Sequence, residues 1–478
     1  MSVLVIGAGV NELACAHTLA RAGHRVLVLE GRAGDGDTAL ERGWVPPRLI
    51  RELGLGPHGL KVDQSDPWAA VPLPDGGRLE LWHDMTRSVE AIRRVSPRDA
   101  AKWPEFCERM RALARWLERL YLERPPDPVG RDLGDLAQLG VLALRTRGLG
   151  RQGIEDLLRL APMPVADWLD DWFECDALKG VLGAAGVMHL QQGPRSGGTA
   201  FLLLHHHVGS PAGVFRPPLS NLRRVLAGLP GVEMRPGAEA ARISVRNGRV
   251  AGVTLAGGEE IAAALIVSGA DPRRTLLDLV DPGWLDPDLV RALRHVRCRG
   301  VVARATLALD HASPCPRLVV APSLDYLERA YDDAKYGRVS RQPYLEVVNV
   351  ARSADGRQRV EVHIQYAPYA LADGEWDGDR RRALGSLALK LLSQHLPGSG
   401  VTVERVLSPR DLAERRGFPE GQEYHAELAL DQALWMRPVP ALARYRTPID
   451  GLYLCGPATH PGGGIAGAAG HNAARVML

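Results

Sequence analysis

Apolar residues first fall into a short unbroken run, Val3-Leu4-Val5-Ile6, which predicts a strand covered on both faces. Gly7-Ala8-Gly9 follows as a turn. Residues 13–22, with Leu13, Ala16 and Ala20 on one side, predict a helix that Gly23-His24 stops. Val26-Leu27-Val28-Leu29 is a second buried strand and ends at Glu30. Strand, glycine turn, helix and strand in that order call for a parallel sheet.

The texture then changes. Residues from about 85 to 205 are mostly helical in period, including 104–122, where Phe106, Met110, Leu113, Trp116, Leu117 and Leu120 share a stripe. The run 123–128, with three prolines, breaks that helix, and another begins at Leu133. From 232 to 267 the pattern shortens and alternates. It predicts strands at 241–245, 250–255 and 264–267, separated by the tight turns Asn247-Gly248 and Gly257-Gly258. A mixed region covers about 295–430, and a strand–glycine–helix pattern returns at 452–474.

Composition narrows the classes. The 478 residues are too many for one simple core, and 45% hydrophobic with 24% charged is ordinary globular content. A net charge of +3 gives no case for nucleic-acid binding. Lysine occurs only at Lys61, Lys102, Lys179, Lys335 and Lys390, so the base content is almost all arginine, as codon bias would produce. Cys15, Cys107, Cys175, Cys298, Cys315 and Cys455 form no CxxC pair, which predicts reduced, buried thiols and no metal site. The apolar start runs straight into glycines, unlike a secretory leader, and 451–474 carries too much glycine and proline to span a membrane. The expected setting is cytoplasmic.

Gly7 and Gly9 are where chemistry is expected first. A dinucleotide diphosphate needs a turn without side chains, so that amides at a helix N-terminus can approach it. Glu30 is placed to accept hydrogen bonds from a ribose. A tight turn with no ligand is the alternative reading. The third glycine of such a loop would fall at position 12, where the chain has Glu12, a negative charge beside the diphosphate. The second candidate is 452–470, a strand leading into glycines and then a helix of small residues on whose N-terminal amides a flat ring could rest.

These segments, with Asp431-Gln432, Met436-Arg437-Pro438, Arg444-Tyr445-Arg446-Thr447-Pro448 and 331–337, resemble the phytoene-desaturase-like flavoproteins. Within them the chain is most similar to the carotenoid isomerases and the pyridine nucleotide-disulfide oxidoreductase domain-containing branch. The resemblance implies an α/β fold, with a glutathione-reductase-type, Rossmann-like FAD-binding domain interrupted by an α+β substrate domain. It also implies hydride or double-bond chemistry at the flavin on an apolar, isoprenoid-like substrate. Gly7, Gly9, Glu30 and Arg32 would hold the adenosine diphosphate half, and Gly456, Gly462, Gly463 and Gly464 the flavin half. The family carries paired glycines after Arg32, whereas this chain reads Ala33-Gly34-Asp35-Gly36-Asp37. Glu12, Asp35 and Asp37 therefore motivate a second expectation, a flavin-free pseudoenzyme kept as a binding or assembly partner for another protein.

The expected cofactor domain takes 1–80, 206–292 and 431–478, and the substrate domain 81–205 and 293–430. No catalytic group is assigned firmly. His425 and Glu427 alternate along an expected strand, as an acid/base pair or as a structural hydrogen-bonded pair, and Arg437 is either a bridge between the domains or a structural ion pair. His205-His206-His207 cannot all face one ion, because consecutive residues diverge. His460 and His471 are candidate neighbours of the flavin. The helix at 104–122 is read as core-facing, with peripheral contact to a membrane as the alternative.

Overall fold

The computed structural model describes residues 2–31, 41–130, 132–311, 313, 315–352, 356–396 and 400–478. The N-terminal pattern does build a parallel sheet. Ser2–Ile6 lies between Arg25–Glu30 and Leu265–Ser268, with Glu233–Pro236 and Leu452–Leu454 at the two edges. Three turns fasten the carboxyl ends of its strands. The Gly7 amide donates to the Leu29 carbonyl, that of Gly269 to Ile6 and that of Cys455 to Ser268, each at 2.9 Å. The helix Val10–Arg21 covers one face with Leu13, Ala14, Cys15, Ala16 and Leu19. The helix Ala468–Met477 lies against it so closely that a methyl group at Gly470 would overlap the Asn11 carbonyl. Small residues in that last helix are what allow the approach.

A three-stranded antiparallel sheet, Ala240–Arg246, Arg249–Leu255 and Glu260–Ala262, sits beside this unit. Its first turn places Asn247 at φ 53° and Gly248 at φ 76°, the left-handed pair that a two-residue hairpin requires.

The second layer is a seven-stranded, mostly antiparallel sheet. Its order is Val401–Leu407, Val302–Leu309, Gln358–Gln365, Tyr344–Arg352, Arg317–Val320, Ala69–Pro72, Arg78–Leu81. Ala69–Pro72 pairs with Arg317–Val320, and Arg78–Leu81 with Ala69–Pro72, so these two strands lie in this sheet rather than in the parallel one. Helix Gly378–Ser393 packs its buried Leu384, Ala388 and Leu392 with Ala305, Leu307 and Val347 of this sheet. Toward the cleft the sheet carries a polar row of cross-strand neighbours, Arg304, His363 and Glu346.

The helical region forms as its period requires. Helix Pro97–Tyr121 starts about two turns earlier than expected, because Ser96 caps it and Pro97 occupies a first-turn position where its missing N–H costs nothing. Its stripe of Trp103, Phe106, Met110, Leu113 and Leu117 is buried against Phe173 and Phe215, which settles its core-facing role. No helix of the described residues is long and apolar enough to cross a membrane.

Candidate functional site

A single cleft of about 760 Å³ joins the two glycine segments. At one end it is lined by Gly7, Gly9, Glu12 and Glu30, and at the other by Tyr424, His425, Gly462, Gly463 and Gly464, with Arg304 and Glu423 on the facing wall.

At the first end Gly7 takes φ 101°, and Gly9 caps the helix that starts at Val10, so the N-terminal amides of that helix open toward the cleft. Arg223 Nη2 donates to Glu30 Oε1 at 2.8 Å, and its Nε donates to the Ala8 carbonyl at 3.0 Å, which fixes the acid at the end of its strand. Glu12 is 5% exposed and folds back beneath the loop. A methyl at Gly7 would lie 3.2 Å from its Cγ, one at Gly9 2.5 Å from Oε2, and one at Gly269 would overlap the carboxylate. Gly269 thus supplies the space that a glycine at position 12 would have left. Burial pushes the Glu12 carboxyl up to about 7, Glu41 adds to the rise, and Arg223 and the amides of Glu12 and Gly9 oppose it. Arg32, Asp35 and Asp37 lie outside the described residues.

At the other end Gly462 and Gly464 take φ 109° and 85°. Gly463 lies so near the Tyr424 ring that a side chain there would overlap it. Its carbonyl accepts from His205 Nε2 at 2.7 Å, and this fixes the tautomer: His205 Nδ1 must be unprotonated and accepts from the Tyr121 hydroxyl at 2.7 Å. His206 and His207 donate from Nδ1 to Ala185 and Val214 carbonyls, so the three consecutive imidazoles serve three different places. Burial drives all three below their usual range, His205 to about 3, which keeps them neutral. Gly456 is not in the cleft lining. It packs on the Gly269 carbonyl and lets the two strand ends meet. His460 donates from Nε2 to the Leu120 carbonyl, and His471 lies beside Glu52 and Thr18.

The expected strand at 424–428 does not form. His425 sits at φ 57°, which ends any alternation, and the two candidates diverge. His425 lines the cleft. Its Nδ1 has no hydrogen-bond partner among the described residues, and burial with the nearby Arg437 lowers it to about 4, a neutral ring. Glu427 is fully buried away from the cleft and takes Arg299 in a two-pronged pair at 2.6 and 2.8 Å. Arg437 is fully buried, with no carboxylate partner among the described residues. It donates instead to the carbonyls of Tyr424, Ala426, Glu427, Gln432 and Pro457, and burial lowers it to about 10, still charged at neutrality. It clamps the 424–432 segment to the glycine-rich one. Sequence reasoning missed the facing wall: Arg304 pairs with Glu423 at 2.6 Å, and Arg42 with Glu346 at 2.7 Å. Burial alone would raise Glu423, but Arg304 outweighs it and holds the carboxyl well below the usual range. Charged residues inside an apolar strand pattern, such as Arg304 and Glu346, were the available signal.

These residues fit a dinucleotide flavin in two respects. Side-chain-free backbone borders the cleft at both glycine segments, and an acid closes the second strand. Glu12 is at odds with a diphosphate.

Comparison with known proteins agrees with that geometry. Residues 2–324 match the family described as FAD dependent oxidoreductase. Pyridine nucleotide-disulfide oxidoreductase domain-containing protein 2 of Rattus norvegicus is 29% identical, over 99% of this chain and 93% of its own length. Hydroxyneurosporene desaturase of Rubrivivax gelatinosus is 26% identical, over 100% and 93%. Among solved structures, an oxidoreductase from Methanosarcina mazei superposes with a TM-score of 0.59 at 16% identity, covering 100% of this chain and 99% of that one. At that identity the likeness is one of fold.

Proposed function

Since the chain belongs to the FAD-dependent oxidoreductase family, we propose that its cleft holds FAD end to end and that the protein exchanges hydride equivalents with an apolar, isoprenoid-like substrate. The reaction would be of the desaturase, saturase or isomerase type. The observation that carries the reading is the continuity of one cleft from Gly7 and Glu30 to Gly462, Gly463 and Gly464. Gly7, Gly9 and Glu30 are the residues for the adenosine half, and Gly462, Gly463 and Gly464 for the ring system. The named chemistry of the desaturase relative supports the substrate class.

Bound flavin supplies a two-electron acceptor or donor. The chain's own residues supply the rest. Tyr424 and the glycine run exclude water from one side. His425, neutral and with Nδ1 unengaged, is the group proposed to hold or return a proton at a substrate carbon. Glu427 and Arg437 position the segment that bears it rather than touching substrate.

A second reading, a flavin-free binding protein, is favoured by one observation, the Glu12 carboxylate under the loop. The test is the visible spectrum of protein purified without added cofactor, with chromatography of whatever heat releases. FAD near one per chain, bleached without oxygen by a carotenoid or monoterpene, is the expected result. A colourless protein that also refuses added FAD at pH 6 would establish the second reading instead.

A further inference from the structure

Glu12 occupies an unusual place for an acid. It is the third residue of the helix Val10–Arg21, in the first turn, where the backbone amides create a positive field that ordinarily serves a phosphate. Its side chain is not turned to solvent. It is 5% exposed and wedged among Gly7, Gly9 and Gly269, and it lines the cleft at the same point as the glycine loop.

The groups that face it from the surrounding elements are few. Glu41 approaches from the strand Glu41–Arg42, and Arg223 from the helix Leu222–Ala227. The buried thiol of Cys15 lies on its own helix, and that of Cys455 stands just beyond the strand Leu452–Leu454. Just beyond strand Leu265–Ser268, Gly269 faces it with its backbone. Arg223 is already shared with Glu30 and the Ala8 carbonyl. No cation among the described residues is therefore dedicated to Glu12, and a diphosphate arriving at the loop would add a second anion to the same helix end.

We propose that Glu12 is a resident anion that makes dinucleotide capture proton-linked: the diphosphate is accepted when Glu12 carries a proton and opposed when Glu12 is ionised. The inference rests on the reading that the cleft takes FAD. A protonated Glu12 is neutral and can donate a hydrogen bond, whereas an ionised one competes with phosphate oxygens for the Gly9 end of the helix. Burial that places its titration near neutrality puts the switch in an accessible pH range.

The experiment measures FAD and ADP binding to the flavin-stripped full chain between pH 5.5 and 8.5, by flavin fluorescence and by calorimetry in two buffers of different ionisation heat. In the wild type, affinity is expected to fall about tenfold per pH unit above neutrality, with uptake of about one proton at pH 8 and almost none at pH 5.5. Glu12→Gln and Glu12→Gly should bind FAD with flat profiles and no linked proton, ADP should retain only the ionisation of its own terminal phosphate, and riboflavin, which has no diphosphate, should bind the wild type independently of pH. Wild-type FAD binding that is flat, or that parallels Glu12→Gln, overturns the proposal and leaves the flavin reading intact. Failure of all three proteins to bind FAD or ADP at any pH overturns both.

Discussion

The two ends of the cleft solve the same problem, bringing backbone close to a ligand, by opposite means. At the Gly7 end the loop is open and charged: Glu12, Glu30 and Glu41 line it, and Arg223 pairs with Glu30 while also acting on Glu12 and Glu41. At the Gly463 end the surroundings are tightly bound, with three uncharged histidines, Tyr121, Tyr424 and a buried, charged arginine spent on carbonyls. The first end is tuned by protons. The second is fixed by packing and hydrogen bonds, so substitutions there should act through stability first and only afterwards through ligand affinity.

The sharpest way to break this contrast is Arg437→Ala. It strips five buried carbonyls of a charged donor, and the expected loss is at least about 4 kcal/mol in urea unfolding. A loss under about 1 kcal/mol would mean that water replaces the guanidinium and that the end is less rigid than its hydrogen bonds imply.

Glu12→Gln tests the other end in the ligand-free protein. The folded carboxyl is raised from 4.5 to about 7, so the stability it contributes is fully present below pH 4.5 and lost as pH rises through 7. That rise corresponds to about 3 kcal/mol. The variant should therefore lose that component of the pH dependence, gaining on the wild type between about pH 4.5 and 7 in paired unfolding curves. The buried neutral histidines, His205 among them, act in the opposite direction below about pH 6 and are common to both proteins, so the difference between the curves isolates Glu12.

Gly463→Ala should have the smallest effect of the three, about 2 kcal/mol, as the Tyr424 ring shifts to make room. If its melting temperature matched the wild type, the second end would be softer than its contacts suggest.

Much of this architecture could be read from the chain. The opening strand–turn–helix–strand unit was legible because its periods are local, and the Asn247-Gly248 hairpin because few other residue pairs take two positive φ values easily. What failed depended on partners far away. The segment at 424–428 alternates like a strand, but the Arg437 clamp on its carbonyls and the positive φ of His425 come from a tertiary fit that no window of sequence contains. Strands Ala69–Pro72 and Arg78–Leu81 have the right period for either sheet, and only the partner Arg317–Val320 decides. At position 12 the identity of the residue was plain, but its orientation depended on the space at Gly269, more than two hundred residues later.

The edge strand Leu452–Leu454 bears on how the protein comes to exist in the cell. It pairs with Leu265–Ser268, and the helix after it shields the very first helix. A nascent chain leaving the ribosome therefore presents Ser2–Ile6 and its helix long before their covering layer has been translated. Arg25–Glu30 pairs with that strand early, but through most of synthesis the helix face that Ala468–Met477 covers has no native partner, which makes it a natural client for a holding chaperone.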